Sequence, residues 1–258
     1  MITVMTLNTT GRSPAKMRER LAPLHRKVDL LCCRSDALAR EERRSRAARS
    51  APAAADALGL ACSCLVPLRP LRRNEQADPS APEQGLAMFT GPELWMLNSG
   101  SFTVAGSGVV QFAVLRKQGR SLLALNAHLA GSRPQQHKEM LAELFRHPRV
   151  QETYGAMVLC IDSVPQLDRD QWLRLSASSP YRPHSAVLSS VDDGLLCLYA
   201  HKNWASQLAK PTVLQAAPAP ALTFAAHRVT SSSKHQRTVF PLSFREQWLG
   251  YRELRPQP

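Results

Sequence analysis

Along residues 2–7 apolar side chains alternate with threonines, the period-two pattern of a strand half-buried in a sheet. Ser13 and Pro14 follow as an N-cap and first-turn proline, opening a helix expected to run toward Pro23. A nearly continuous apolar run at 28–33, interrupted by Asp29, predicts an inner strand buried on both faces. The Ala/Arg-rich stretch 36–58 predicts a helix broken at Pro52. Residues 67–82 predict an exposed loop, because Pro67, Pro70, Pro79 and Pro82 stand there among charges with little apolar content. From Gly85 the pattern shortens to strands at 86–89, 94–97, 109–115 and 121–129, the last two joined as a hairpin at Lys117-Gln118-Gly119-Arg120. Ser132, Pro134 and Gln135 predict a capping-box start for a helix whose core face is Met140, Leu141, Leu144 and Phe145 and whose end is marked by Pro148. Later strands are expected at 156–161, 195–199 and 239–244, with a Pro/Ala-rich connection near 211–221.

Strands and helices mixed in this way, with hairpins as well as crossovers, predict two packed mixed sheets covered by helices. That is an α/β fold of four layers, helices, sheet, sheet, helices. With 44% hydrophobic residues, the 258-residue chain can bury a core of that size as one domain, 1–258, with an exposed loop near 67–84. No internal repeat of short fixed period stands out.

Charge adds a constraint on partners. The chain carries 33 Lys+Arg against 20 Asp+Glu, a formal +13, which concentrates polyanions such as nucleic acid, phosphorylated lipid headgroups or an acidic protein partner. It does not choose among them, and the run Arg40, Arg43, Arg44, Arg46, Arg49 is equally a solvated face. The six cysteines lack the paired spacing of a structural zinc site. Cys32, Cys33, Cys160 and Cys197 lie in apolar strand-like runs, where cysteine packs as a small buried thiol in a reducing compartment. No basic region precedes the apolar residues at the N-terminus, and no stretch is long enough for a membrane span, so a cytoplasmic location is expected.

Polar residues at strand ends are the candidates for chemistry, since an α/β scaffold presents its site there. Asn8 ends the first strand, His128 the hairpin strand and Asp162 the strand at 156–161; Asp192 and Asp193 precede the strand at 195–199, and His235 precedes the last strand. Singly, each has a bland role: Asn8 and Asp162 can cap turns, and His128 can be a core histidine.

Their order changes the weighing. The segments Thr6-Leu7-Asn8, Asp29 to Ser35, Leu125-Asn126-Ala127-His128-Leu129, Val158 to Val164, Val191-Asp192 and Ser233-Lys234-His235 resemble, in sequence order, the strand-end motifs of the endonuclease/exonuclease/phosphatase superfamily. Arg133 and Gln136 resemble the helix that follows the "N-T-H-L" strand. The resemblance implies a DNase I-like α/β/β/α sandwich. It also implies a divalent ion, usually magnesium, that stabilises phosphoryl charge while a histidine–aspartate pair orients water and leaving oxygen. On that template His128, Asp162, Asp192 and His235 are catalytic and Asn8 binds phosphate. Asp192 or Asp193 orients His235.

Departures from the motifs matter as much. Ser35 stands at the metal-ligating Glu, Val164 at the Asn of "G-D-x-N", Ile161 at its Gly and Lys234 at the Asp before the final His. Serine is a poor magnesium ligand, and a lysine ammonium repels the ion, leaving Asp162 as the metal ligand of a degenerate site and Lys234 as a phosphate contact. Asp36 cannot simply replace Ser35, because neighbouring strand residues face opposite ways. Three functions remain open: a catalytically impaired family member holding a phosphate-containing ligand or protein partner; an active metal-dependent phosphodiesterase or nuclease with a site rebuilt from Asp36, Asp162 or another carboxylate; and a basic nucleic-acid-binding protein.

Overall fold

Alternation of side chains along the strands divides the apolar residues of this chain among three buried layers. The computed structural model describes residues 2–9, 12–35, 50–68, 84–129, 133–152, 154–161, 169–188, 195–201 and 225–229. Its elements are β1 (Ile2–Asn8), α1 (Pro14–Leu21), β2 (Leu30–Ser35), α2 (Ser50–Leu58), β3 (Cys62–Pro67), β4 (Gly85–Thr90), β5 (Trp95–Val104), β6 (Gly108–Lys117), β7 (Arg120–His128), α3 (Pro134–Arg146), α4 (Pro148–Gln151), β8 (Ala156–Ile161), α5 (Arg169–Ser176), β9 (Tyr181–Leu188), β10 (Leu195–His201) and β11 (Ala225–Val229).

Two mixed sheets result, in the orders β11-β1-β2-β4-β3 and β5-β6-β7-β8-β10-β9. Val4, Leu30, Cys32, Met88, Ala113, Leu122, Ala124, Val158 and Cys160 fill the layer between them. The alternate residues Met5, Leu7, Leu31, Cys33 and Phe89 face the other way and pack on Met17 and Leu21 of α1 and Ala54, Ala55 and Leu58 of α2. On the far side, Leu123, Leu125, Ala127, Met157, Leu159 and Ile161 pack on Met140, Leu141, Leu144 and Phe145 of α3 and on Trp172 of α5. This is the four-layer sandwich, and the apolar period of each helix and strand is what assigns it to its layer.

A repeat invisible in the sequence organises the two sheets. In β1-α1-β2-α2-β3-β4 the first two strands pair in parallel, β4 lies antiparallel beside β2, and β3 lies beside β4. In β7-α3-β8-α5-β9-β10 the same relations recur, with β7 parallel to β8, β10 antiparallel beside β8, and β9 beside β10. Each half delivers the C-terminal ends of two parallel strands to one edge, where α/β folds build their sites. The opposite end of the sandwich is tied by Lys117, whose Nζ lies 2.7 Å from Asp29 Oδ1 and 3.2 Å from Glu93 Oε2. Asp29 Oδ2 in turn accepts from the Thr3 amide at 2.7 Å.

Several sequence expectations need adjustment. The strand expected at 28–33 runs Leu30–Ser35 instead, and the short strand expected at 94–97 extends through Ser99, Gly100 and Ser101 to Val104, because pairing with apolar β6 outweighs its own polarity. The α3 N-cap is Arg133 and makes no side-chain capping bond, so the helix start rests on Pro134 at its first position rather than on a capping box. Pro148 opens α4 as well as closing α3. Pro52 sits in the first turn of α2, where a missing N–H costs nothing. Strands β3, β9 and β11 and helix α5 were not anticipated. The hairpin at 117–120 is present, its two central residues Gln118 and Gly119 at φ 49° and 76°, the left-handed geometry that matches strand twist. The helical stretch 36–49, most of the loop near 67–84, the connection near 211–221 and the strand at 239–244 lie outside the described residues.

Candidate functional site

The site edge begins where β1 and β2 end side by side. Asn8 is the register partner of Arg34 in the parallel pair, and the carbonyl of Arg34 accepts from both the amide and the Oγ1 of Thr9, at 2.9 and 2.8 Å. Two bonds to one carbonyl hold the strand ends together just beyond the last paired residues. By alternation from Val4, Asn8 belongs to the inter-sheet face of β1, and by alternation from Leu30 and Cys32, Arg34 belongs to the same face of β2. Both are half-buried. Arg34 Nη2 donates to Gln84 Oε1 at 2.8 Å, and β2 closes with Ser35 opposite Gly85.

The other sheet arrives above these ends through a buried amide pair. Asn126 Nδ2 donates to the carbonyls of Cys33 at 3.2 Å and Ala87 at 3.3 Å and to Gln111 Oε1 at 3.3 Å; Gln111 Nε2 donates to the carbonyl of Cys64 at 2.6 Å. Gln111 is 0% and Asn126 3% exposed, so they depend on bonds within the protein. Three acceptors around one NH2 also settle which way the Asn126 amide points. The pair therefore fixes β7 over β2 and β4, and β6 over β3. His128, half-buried, lies two residues further along the same face of β7 and is thereby carried to the edge where Asn8 and Arg34 end.

Strand β8 reaches that edge too, with Ile161 beside Ala127 and opposite Leu195 of β10. Asp162 follows directly. Asp162, Asp192, Lys234 and His235 lie outside the described residues, as do Asp36, Val164 and Asp193. Of the residues singled out from sequence, Asn8, Ser35 and His128 thus stand at the end of one β1-β2-β7 assembly. Sequence reasoning missed Thr9, Arg34, Gln111 and Asn126; the signal for the last two was a polar residue inside an otherwise apolar strand, which is rare unless it is bonded.

Electrostatically, the described part of the edge holds Arg34, whose bond to Gln84 is not its sole interaction. Behind it the Cys33 thiol is pushed well up by burial and by neighbouring Cys32, so it contributes no negative charge. Among the described residues, no three His, Cys, Asp or Glu side chains stand together where they could hold a metal ion. At the close of β2 the sequence has a serine, a weaker ligand for a hard divalent ion than a carboxylate.

No family model matches the chain, and no curated protein matches it. Solved structures do. An endonuclease/exonuclease/phosphatase family protein from Leptotrichia buccalis C-1013-b superposes with a TM-score of 0.61 at 9% identity, covering 90% of this chain and 100% of that one. The human Nocturnin catalytic domain with bound sulfate anion gives 0.54 at 14% identity, over 90% and 94% of the two chains. D. rerio TDP2 complexed with single strand DNA product gives 0.57 at 9%, over 90% and 99%. At such identities the likeness is one of fold: the chain has the DNase I-like sandwich of endonuclease/exonuclease/phosphatase structures.

Proposed function

We propose that this chain is a divergent endonuclease/exonuclease/phosphatase-type protein that holds a phosphate-containing ligand or partner at the β1-β2-β7 edge and hydrolyses phosphodiesters poorly. One observation carries the reading: Asn8 and His128 close β1 and β7, and β2 closes on Ser35, where the resemblance implies a metal-ligating carboxylate. Support comes from the neighbours, since one fold relative holds a sulfate anion, another a DNA product, and a third is a mannosyl-6-phosphatase. The excess of 33 Lys+Arg over 20 Asp+Glu favours an anionic ligand. Asp162, Asp192, His235 and Lys234 belong to this proposal as the remaining polar groups of the site, with Asp192 or Asp193 orienting His235. Among the described residues no helix is long and apolar enough to cross a membrane.

A second reading, an active divalent-metal phosphodiesterase, is favoured by the register of Ile161 with Leu195: Asp162 directly follows the first, and Asp192 and Asp193 closely precede the second in sequence. Hydrolysis of bis-(p-nitrophenyl) phosphate with magnesium or manganese separates the two. The proposal expects little turnover above buffer, together with binding of inorganic phosphate that weakens in Asn8→Ala and His128→Ala. Rapid cleavage that Asp162→Ala abolishes would establish the second reading instead.

A further inference from the structure

We propose that β5 is a docking edge for a second copy of this chain, the two β5 strands pairing antiparallel about a two-fold axis so that the six-stranded sheets of both copies run on as one. The inference stands apart from the phosphate reading above.

A comparison of the sheet edges is the first argument. Of the four outer strands, β11 carries Arg228, β3 ends on Pro67 and β9 carries Arg182 and Pro183. Charge and proline at such places discourage strands of other molecules from adding. β5 has ten residues, Trp95 to Val104, with no charged residue and no proline among them. Its one irregularity is the bulge between Met96 and Asn98, so the run from Asn98 to Val104 keeps regular pairing with β6. A long, regular, uncharged outer strand is a template for another strand, which it binds through main-chain amides and carbonyls.

Exposure is the second. The bond from Gln111 to the Cys64 carbonyl sets β6 over β3, which makes β3 and β5 the outer strands of one flank. Among the described residues the exposed large hydrophobic side chains are Leu65, Trp95 and Leu97, all on these two strands, with Trp95 70% and Leu97 53% exposed. Tryptophan and leucine beside an uncharged strand supply the apolar contact that an interface needs.

Charge identifies the occupant. At a formal +13, the chain steers a partner of opposite sign to its lysines and arginines, whereas a like-charged copy approaches most closely where charge is missing on both molecules at once. A two-fold makes one strand supply both sides of the contact. Antiparallel pairing then lays the Trp95 end of each β5 beside the Val104 end of the other. Arg116, exposed and opposite Trp95 on β6, continues the helix-covered face of Phe112 and Val114. At the far end of β5 stands Glu143 of α3, exposed, its Oε2 accepting from the Ala105 amide at 2.5 Å. The arrangement turns Arg116 of each copy toward Glu143 of the other, a match of opposite charge made twice by the symmetry.

Sedimentation of the full chain over a rising concentration series tests this, and the wild type is expected to pass from monomer to dimer. Ser101 is exposed near the middle of β5, and Ser101→Lys is expected to raise the dimer dissociation constant about ten- to hundredfold by setting like charges close together across the axis. Arg116→Glu is expected to weaken the dimer severalfold and Arg116→Glu with Glu143→Arg to recover it, a rescue that a merely structural role would not show. Should Ser101→Lys fail to fold, Trp95→Ser serves instead, since that side chain is largely in water. A wild type that stays monomeric throughout overturns the proposal. So does a dimer indifferent to the β5 changes, or protection of the β5 amides from hydrogen exchange that does not grow with concentration, which would mean that the chain covers this edge itself.

Discussion

The side-chain amide of Asn126 reaches the carbonyl of Cys33 across the sandwich at 3.2 Å, one bond that joins the strand carrying His128 to the strand carrying Ser35. Removing it leaves the carbonyls of Cys33 and Ala87 and the Gln111 amide oxygen with less than they need in a dry layer. Asn126→Ala is therefore expected to cost about 1–3 kcal/mol of stability, read as a lower urea midpoint. Asn126→Asp should be worse at neutral pH, since a carboxylate would then face oxygens from three sides. Its folded-state pKa must rise, so this variant lies closest to wild type below about pH 4 and falls behind as pH increases. A pH-independent deficit would contradict this account.

Lys117 supplies the counterpart tie at the far end of the sandwich. Burial pulls its pKa down, but hydrogen bonds and charges from Asp29 and Glu93 more than offset this and leave it above the ordinary 10.5. A raised lysine pKa contributes stability that is complete below the unfolded value and is lost as pH climbs through the folded one. Lys117→Met is expected to cost about 1–3 kcal/mol, between an exposed and a fully buried pair, because the two side chains are 11% and 22% exposed. The deficit should hold steady from neutral pH to about pH 10 and shrink above it; thermal melts across that range provide the check.

The layers of this fold were legible in the chain because they follow from local periods. Alternation at β1, continuous apolarity at β8 and the Met140-Leu141-Leu144-Phe145 face of α3 each predict one element and its burial. Strand β5 was cut short because Asn98-Ser99-Gly100-Ser101 has no strand propensity of its own and is a strand only through its pairing with β6. The same distinction holds at the site. Asn8 and His128 could be found as polar residues closing apolar runs, but Arg34 reads as one more arginine in a basic chain until the register with Asn8 shows which face it takes. No local signal reports that Asn126 meets Cys33, a partner far away in sequence.

Thiol chemistry offers a third expectation. Cys32, Cys33 and Cys160 are at most 1% exposed, and the pKa values of the first two are raised: Cys33 first by burial and then by Cys32, and Cys32 first by its hydrogen bond with Cys160 and then by burial. Since the thiolate is the nucleophile, a bulky maleimide should label Cys64, which is half-buried, well before these three. Peptide mapping after a native pulse would show the order, and early labelling of Cys32 or Cys160 would contradict the closed inter-sheet layer.

A fourth concerns the ion. On the proposed reading of the site, the triple change Ser35→Glu, Val164→Asn, Lys234→Asp would add one oxygen ligand, a polar neighbour for Asp162 and a carboxylate in place of a repelling ammonium. It is expected to raise magnesium-dependent phosphodiester hydrolysis about ten- to hundredfold, the scale on which supporting groups act on metal sites. Rates with magnesium, with EDTA and in the Asp162→Ala background decide it; a gain that EDTA leaves intact would mean the added groups act without metal.

The outermost strand of the first sheet has a consequence for how the protein is made. β11 pairs antiparallel with β1, Val229 opposite Ile2 and Ala225 opposite Thr6, so every element from α1 to β10 must leave the ribosome before β1 acquires its second neighbour. Through that interval β1 presents an open row of amides and carbonyls, the template on which strands of other molecules add. A nascent chain whose residues 225–229 are still inside the ribosome should therefore depend on chaperones more heavily than one in which they have just emerged, although the two differ by a single short strand.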